Sequence, residues 1–385
     1  MCMKLSTDDM CASWGCSRLL TTLFFDLMLF LHSGGAMLIE HYYHRTDSSS
    51  QQTISKCDLF QGSWVYDASY PLYNSSDCSL FMETEFDCQG NGRPDQLYLH
   101  YIWQPSACDL PRFDGKEFMR RLKGKKMMFV GDSLSLNQWQ SLTCMLHASL
   151  PDSNFTIQRK GDLSTFILPE FNSSIMLSRN PFLVDLVKEN IGEVLKLDSI
   201  QNGKAWLGFD FLIFNTWHWW LHRGRKQPWD YMQEGEQVYK DMDRLVAFKK
   251  GLKSWSKWVE SNIDPTITKV FFQGTSPTHS RGEEWNGTRG TSCEGERQPI
   301  VGSVYHGSPN AAAEVVREVV SNMTKLVTLL DVTTLSQLRK DGHPSIYGYD
   351  AKGNDCSHWC LPGVPDTWNQ LLYATLLHHG NSKTI

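Results

Sequence analysis

The chain has 385 residues, 41% hydrophobic and 21% charged, which excludes a minimal disulfide knot and a disordered chain and leaves one large or two modest domains. Its 37 basic and 42 acidic residues give a formal charge of −5, too near balance for a protein held to nucleic acid by phosphate contacts. In chain order, the first feature is an apolar stretch over residues 19–39, densest at 19–31 and interrupted by Asp26. A bilayer span needs about 20 apolar residues and a signal-peptide core ~7–15, so the stretch fits neither well. Asp26 would cost roughly 2.5–3.5 kcal/mol at mid-membrane, and Lys4 and Arg18 are offset by Asp8 and Asp9. Residues 1–40 are therefore expected to be a cytosolic tail with a signal anchor, or a signal peptide, with a buried soluble helix as the third reading. Residues 41–56, with their Ser48-Ser49-Ser50-Gln51-Gln52 run, are expected to be a linker.

Residues 57–111 hold Cys57, Cys78, Cys88 and Cys108 among many aromatics, without a clear period. Such a segment cannot bury a core alone and must be stapled to something larger. From residue 112 the pattern changes. A short apolar run at 127–130 is followed by Gly131, then Leu134, Trp139 and Leu142 at helical spacing, which predicts strand, tight turn, helix. Further strands are predicted over 209–214, 269–273 and 326–331, and helices over 242–259 and 310–323. Alternating short apolar strands and helices imply an α/β fold with a mostly parallel sheet covered on both faces, in residues 112–385. Functional groups in such sheets gather where strands end.

Of 11 cysteines, Cys2, Cys11 and Cys16 precede the apolar stretch and eight follow it, an even set suited to an oxidising compartment. Acceptor sequons for N-glycosylation stand at Asn74, Asn154, Asn172, Asn286 and Asn322, all downstream of that stretch. Together they place the body in the lumen or outside the cell.

Gly131-Asp132-Ser133 sits on the strand-to-helix turn. There a serine presents its hydroxyl at the sheet's carboxyl edge beside helix N-terminal amides, although Ser133 or Asp132 as a plain helix N-cap explains the position equally well. A serine needs a base, and Asp355-Cys356-Ser357-His358 offers an imidazole with a carboxylate three residues before it. Taken alone this is also what a surface turn contains, but Cys356 and Cys360 bracket His358 and Trp359 adds apolar shielding. The residue types Asp355, Cys356, His358 and Cys360 also bind zinc; an oxidising compartment favours pairing of the cysteines instead, and His218 with His222 lacks a suitably placed third ligand. Asn215-Thr216-Trp217-His218-Trp219-Trp220 follows a predicted strand, where an asparagine can donate to an oxyanion; each tryptophan singly reads as core, but three around a histidine there favour a sugar-facing wall.

These motifs resemble those of the plant trichome birefringence-like family, cell-wall polysaccharide O-acetyltransferases and relatives whose fold is similar to SGNH/GDSL esterases. The carrying residues are Cys57-Asp58-Leu59-Phe60-Gln61-Gly62-Ser63-Trp64-Val65, Gly131-Asp132-Ser133 with the helix to Trp139, residues 215–220, Ser276-Pro277-Thr278-His279 and residues 355–363. The resemblance implies Ser133 as nucleophile, His358 as general base and Asp355 as its orienting carboxylate. It further implies Asn215, with Gly131 and the Ser133 amide, at the oxyanion, Trp217 and His218 toward substrate, and disulfides Cys57–Cys108, Cys78–Cys144, Cys88–Cys360 and Cys293–Cys356. Many relatives carry arginine three residues after the serine; here Leu136 stands there, and a subgroup sharing the leucine has been linked with pectin and deacetylation.

The implied activity is transfer of acetyl through an acetyl-serine onto xylan, pectin or another hemicellulose, with no bound cofactor, no metal and an acetyl donor such as acetyl-CoA or another luminal carrier. A polysaccharide acetylesterase with the same triad and a non-catalytic glycan-binding wall protein are the alternatives. The expected setting is the Golgi lumen as a type II membrane protein, or secretion to the cell wall. The expected partners are the polysaccharide, the membrane through residues 1–40 and acetyl-donor supply proteins, with no nucleic acid.

Overall fold

The computed structural model describes residues 57–348 and 353–381, with side chains up to residue 378; the apolar stretch and linker of residues 1–56 lie outside them. Its main sheet has seven strands in the order β13-β12-β9-β3-β6-β5-β4. They are β3 (Lys126–Gly131), β4 (Thr156–Lys160), β5 (Leu163–Leu168), β6 (Ser173–Arg179), β9 (Phe211–Phe214), β12 (Lys269–Gln273) and β13 (Val327–Leu330). The five strands β13, β12, β9, β3 and β6 run parallel, and β5 and β4 add an antiparallel edge. The parallel strands are short and apolar because both faces are covered. On β3, Met127 and Phe129 enter a core with helices α2 (Ser133–Ser149) and α6 (Val364–Asn381), whereas Met128 and Val130 enter a second core with α3 (Arg244–Asn262) and α4 (Ala311–Ser321).

Two smaller sheets were not legible in the sequence. β7 (Asp185–Glu189), β8 (Gly192–Lys196), β10 (Tyr231–Glu234) and β11 (Gln237–Tyr239) form a four-stranded sheet. β1 (Gly62–Tyr66) and β2 (Tyr101–Pro105) pair antiparallel with Trp64 opposite Trp103. The ends of α1 (Gly115–Leu122) and α5 (Thr333–Gln337) complete the regular elements used below. Among the described residues, no helix is long and apolar enough to cross a membrane.

The cysteine-rich segment is part of the first core. Tyr73, Phe81 and Phe86 are buried among residues of α2 and α6, Trp64 Nε1 donates to the Leu335 carbonyl at 2.8 Å, and the Arg339 guanidinium lies 4.4 Å over the Trp64 ring. Disulfides Cys57–Cys108, Cys78–Cys144, Cys88–Cys360 and Cys293–Cys356 are all formed. The first closes the segment, the next two tie it to α2 and to the loop before α6, and the last ties that loop to residue 293.

Helix α2 is buried from Leu134 to Leu146, polar residues included, because sheet, α6 and the cysteine-rich segment surround it. Buried polar groups need partners. Asn137 bonds both the Trp359 amide and carbonyl, at 2.9 and 3.1 Å. Gln140 accepts from the Glu83 amide, and Ser141 donates to Asp366 at 2.6 Å. Asn137, Gln140 and Ser141 are thus sockets for the segments packed on the helix.

Candidate active site

β3 ends at Gly131, and α2 starts at Ser133 with Asp132 as its N-cap; Asp132 Oδ1 accepts from the Leu134 amide at 2.9 Å. Asp132 therefore does the capping and leaves the Ser133 hydroxyl free for other work. Its Oδ2 accepts from the His218 amide at 3.3 Å. A Cβ on residue 131 would sit 2.2 Å from the Asn215 carbonyl oxygen and 2.4 Å from Ser135 Oγ, so only glycine lets the turn pass the end of β9. As the first helical residue, Ser133 has an amide without an acceptor inside the helix.

The loop preceding α6 brings His358 and Asp355 to this turn from 225 positions away. His358 Nε2 is 2.7 Å from Ser133 Oγ and His358 Nδ1 is 2.8 Å from Asp355 Oδ2. A carboxylate only accepts, so the Nδ1 proton goes to Asp355 and the Nε2 lone pair faces the serine hydroxyl. Asp355 Oδ1 accepts from the Ser357 amide, the Ser357 hydroxyl and the His358 amide at 2.8–3.1 Å. Burial raises the Asp355 carboxyl, but the His358 and Ser357 hydrogen bonds outweigh it and hold the group well below the usual carboxylate range. Burial also lowers His358, and the Asp355 hydrogen bond and charge overcome it, leaving His358 above the usual histidine value. The two side chains remain 21% and 28% exposed, enough for a ligand to reach them.

Several contacts hold this loop. The disulfides of Cys356 and Cys360 flank His358, Asn137 clasps Trp359, and the Phe86 amide-bond carbonyl accepts from the Leu361 amide at 2.9 Å. Since both cysteines are oxidised, neither is a thiolate ligand for zinc. The Phe86 ring lies 5.5 Å from the His358 ring. Beside it Glu85 is half-buried; burial raises its carboxyl, with His358 opposing and Glu83 and Asp355 adding to the rise.

The 215–220 segment divides between site and core. Asn215 is buried and its side-chain oxygen has no hydrogen-bond partner among the described residues. His218 is half-buried with Nε2 donating to the Ser276 carbonyl at 2.8 Å; burial lowers its pKa, with Asp132 opposing. Trp217 leans on Phe248 with ring centroids 4.9 Å apart. The expected wall of three tryptophans is corrected at Trp220, which is fully buried against Phe182 and Phe248 and donates to Thr216. Gly131 contributes by its missing side chain, and its carbonyl accepts from Asn180. Leu136 is buried in the first core, an apolar contact where the resemblance leads one to expect a cation. A cavity of about 540 Å³ is lined by Arg281, Glu283, Glu284, His306, Gly307 and Ser308 and contains none of the Ser–His–Asp residues; hydrogen-bond geometry, not cavity size, marks the site. Sequence reasoning missed Glu85 and Phe86, which carry no spacing signal because they reach the site from the cysteine-rich segment, and Asn137, which shares α2 with Ser133 but whose partner Trp359 is 222 positions away.

A parallel sheet with a serine at a strand-to-helix turn, faced by a histidine and an aspartate from a late loop, defines the SGNH-type esterase class. Residues 110–375 match the "GDSL/SGNH-like Acyl-Esterase family found in Pmr5 and Cas1p", and residues 55–109 match the "PMR5 N terminal Domain". The chain is 58% identical over 326 residues to "Protein trichome birefringence-like 43" of Arabidopsis thaliana, covering 84% of this chain and 88% of that one. It is 55% identical to "Protein trichome birefringence-like 38" of the same plant, covering 85% of each chain, and 52% identical to "Protein trichome birefringence-like 40", covering 91% and 96%. The chain belongs to the trichome birefringence-like family.

Proposed function

We propose that this protein is a polysaccharide O-acetyltransferase working through an acetyl-Ser133 intermediate. The observation that carries the reading is the unbroken chain Ser133 Oγ, His358, Asp355, with links of 2.7 and 2.8 Å. Ser133 Oγ attacks the acetyl carbonyl of the donor while its proton passes to His358 Nε2, and Asp355 stabilises the imidazolium. The Ser133 amide and Asn215 stand ready for the oxyanion. Collapse expels the donor's leaving group, which takes the proton from His358. A sugar hydroxyl then gives its proton to His358 and attacks the acetyl-serine, and the second collapse returns the proton to Ser133. With water as acceptor the same residues make an acetylesterase, which is the alternative reading for pectin; a glycan-binding protein without catalysis would leave the Ser–His–Asp geometry without a use.

The four disulfides and the exposure of Asn74, Asn154, Asn172, Asn286 and Asn322 support a luminal or extracellular body carrying N-glycans. The test offers purified protein an acetyl donor with xylan and pectin oligosaccharides, and separately acetylated pectin. Acetyl transfer without net hydrolysis is expected; net release of acetate instead assigns the esterase. Ser133→Ala should lower either activity by roughly 10⁴–10⁶-fold, and an unchanged rate rules out the covalent route.

A further inference from the structure

Behind the catalytic loop lie two imidazoles that the chemistry above does not use. His279 and His343 are buried and 2.6 Å apart, Nδ1 to Nε2. The outer nitrogen of each ends on a backbone carbonyl: His279 Nε2 on Gln337 at 2.9 Å and His343 Nδ1 on His358 at 2.6 Å. A carbonyl only accepts, so both outer nitrogens must carry protons, and the inner contact needs one more. Three hydrogen bonds on two rings require three protons, whereas two neutral imidazoles hold two. Every neutral assignment leaves one lone pair against another within hydrogen-bond distance, in the protein interior where such a clash is least screened.

We propose that His279 and His343 together carry one excess proton, shared across their 2.6 Å contact, and that this buried monocation positions the His358 backbone and sets the charge balance of the catalytic loop. The inference rests on the proposed role of His358. The surrounding charges are arranged to admit it. Asp341 is paired with Arg339, Glu296 with Lys340 and Asp95 with Arg93, whose guanidinium also donates to the His343 carbonyl at 3.0 Å. With His358 neutral, Asp355 has no charged partner among the described residues, and it attracts the His343 proton. The His343 ring is stacked on the Trp359 face at 4.0 Å, and the His279 ring makes a T-shaped contact with Trp285 at 5.3 Å, so an aromatic face covers the His343 side of the cation. Burial is the largest influence on both rings and holds both below the usual histidine value, His279 at about 4. The shared N–H opposes that push, because only the protonated pair can form it.

Nitrogen-15 imidazole spectra of the intact, disulfide-bonded protein near neutral pH test the proton count without any substrate. Three protons over the four nitrogens are expected, one of them averaged between the rings; two protonated and two bare nitrogens overturn the proposal. The second arm is His279→Phe, which leaves a neutral His343 free to hold the His358 carbonyl while abolishing the need for the third proton. Loss of a nearby positive charge raises the His358 pKa, so the acid limb of Ser133 labelling by a fluorophosphonate should move upward by about one pH unit. A role in packing alone would lower the labelling rate at all pH values with the limb in place, and that outcome overturns the electrostatic part. If the parent protein is not labelled at all, the assignment of Ser133 fails, and the nitrogen count still decides the charge of the pair.

Discussion

His358 is a half-buried base with a carboxylate behind it and a serine in front, and its pH behaviour follows from that placement. In the proposed mechanism it must be neutral to accept the Ser133 proton. Burial lowers its pKa and Asp355 more than restores it, so activity should fall as pH drops through a midpoint above the ordinary histidine value of about 6.5. The stability linkage has a definite sign. The raised His358 stabilises the fold fully below about pH 6.5 and loses that contribution as pH rises through its folded value, while the depressed Asp355 contributes above about pH 4 and loses it on acidification. Glu85 raises His358; Glu85→Gln should move the acid limb of the pH–rate profile downward with little effect on the plateau. Asp355→Asn should cut kcat by about 10⁴-fold, as expected when the histidine loses its oriented tautomer.

At the scale of elements, the relation between α2 and the loop before α6 decides whether the residues meet. Ser133 belongs to the β3–α2 turn, and Asp355 and His358 to a loop held by two disulfides and by Asn137. Asn137→Ala would strand the buried Trp359 amide and carbonyl, each costing about 1–3 kcal/mol, and should lower kcat more than it raises KM. Replacing Cys293 and Cys356 together with serine should cost about 2–4 kcal/mol. In a urea titration of that variant, activity is expected to vanish while far-ultraviolet circular dichroism remains native; coincident loss of both signals would mean that the loop and the sheet unfold as one unit. Gly131→Ala is expected to cost more than a typical core overpacking in urea unfolding, because its Cβ would meet the Asn215 backbone oxygen at 2.2 Å as well as Ser135 Oγ at 2.4 Å, and the backbone cannot turn aside.

For the whole molecule, the cysteine-rich segment and the esterase-like body share one core. Tyr73 of the segment donates to Asp366 of α6 at 3.0 Å, and Ser141 of α2 donates to the same carboxylate. Asp366 is buried and raised to about 6 by that burial, with Ser141, Gly363 and Tyr73 opposing. A raised acid destabilises once ionised, so stability should decline by about 3 kcal/mol as pH rises from about 4 to about 6 and then level off. Urea midpoints across that range measure the slope, and Asp366→Asn should flatten it. Residues 57–109 expressed alone should lack the dispersed amide spectrum of a folded protein, because Phe81 packs its ring on His147, Phe155 and Phe166 and Phe86 packs on His358, all outside the segment.

The sequence by itself determined the local features. The strand at Lys126–Gly131, the Gly131-Asp132-Ser133 turn, the Asp355-to-His358 spacing and the alternation of strands and helices are written in neighbouring residues. The strand over 269–273 coincides with β12, and the predicted helix over 310–323 with α4 to within two residues at either end, since in both the burial of one element decides its period. Tertiary structure decided what those elements face. It alone sent Trp220 to the core, buried the polar face of α2, formed the sheet of β7, β8, β10 and β11, and set Gln337, His279, His343 and His358 in one hydrogen-bonded row. The physical reason is separation along the chain. A helix or strand pattern records that a residue is buried, but the partner that satisfies a buried polar group, or meets a serine hydroxyl from 225 positions away, is fixed only when the packed faces meet.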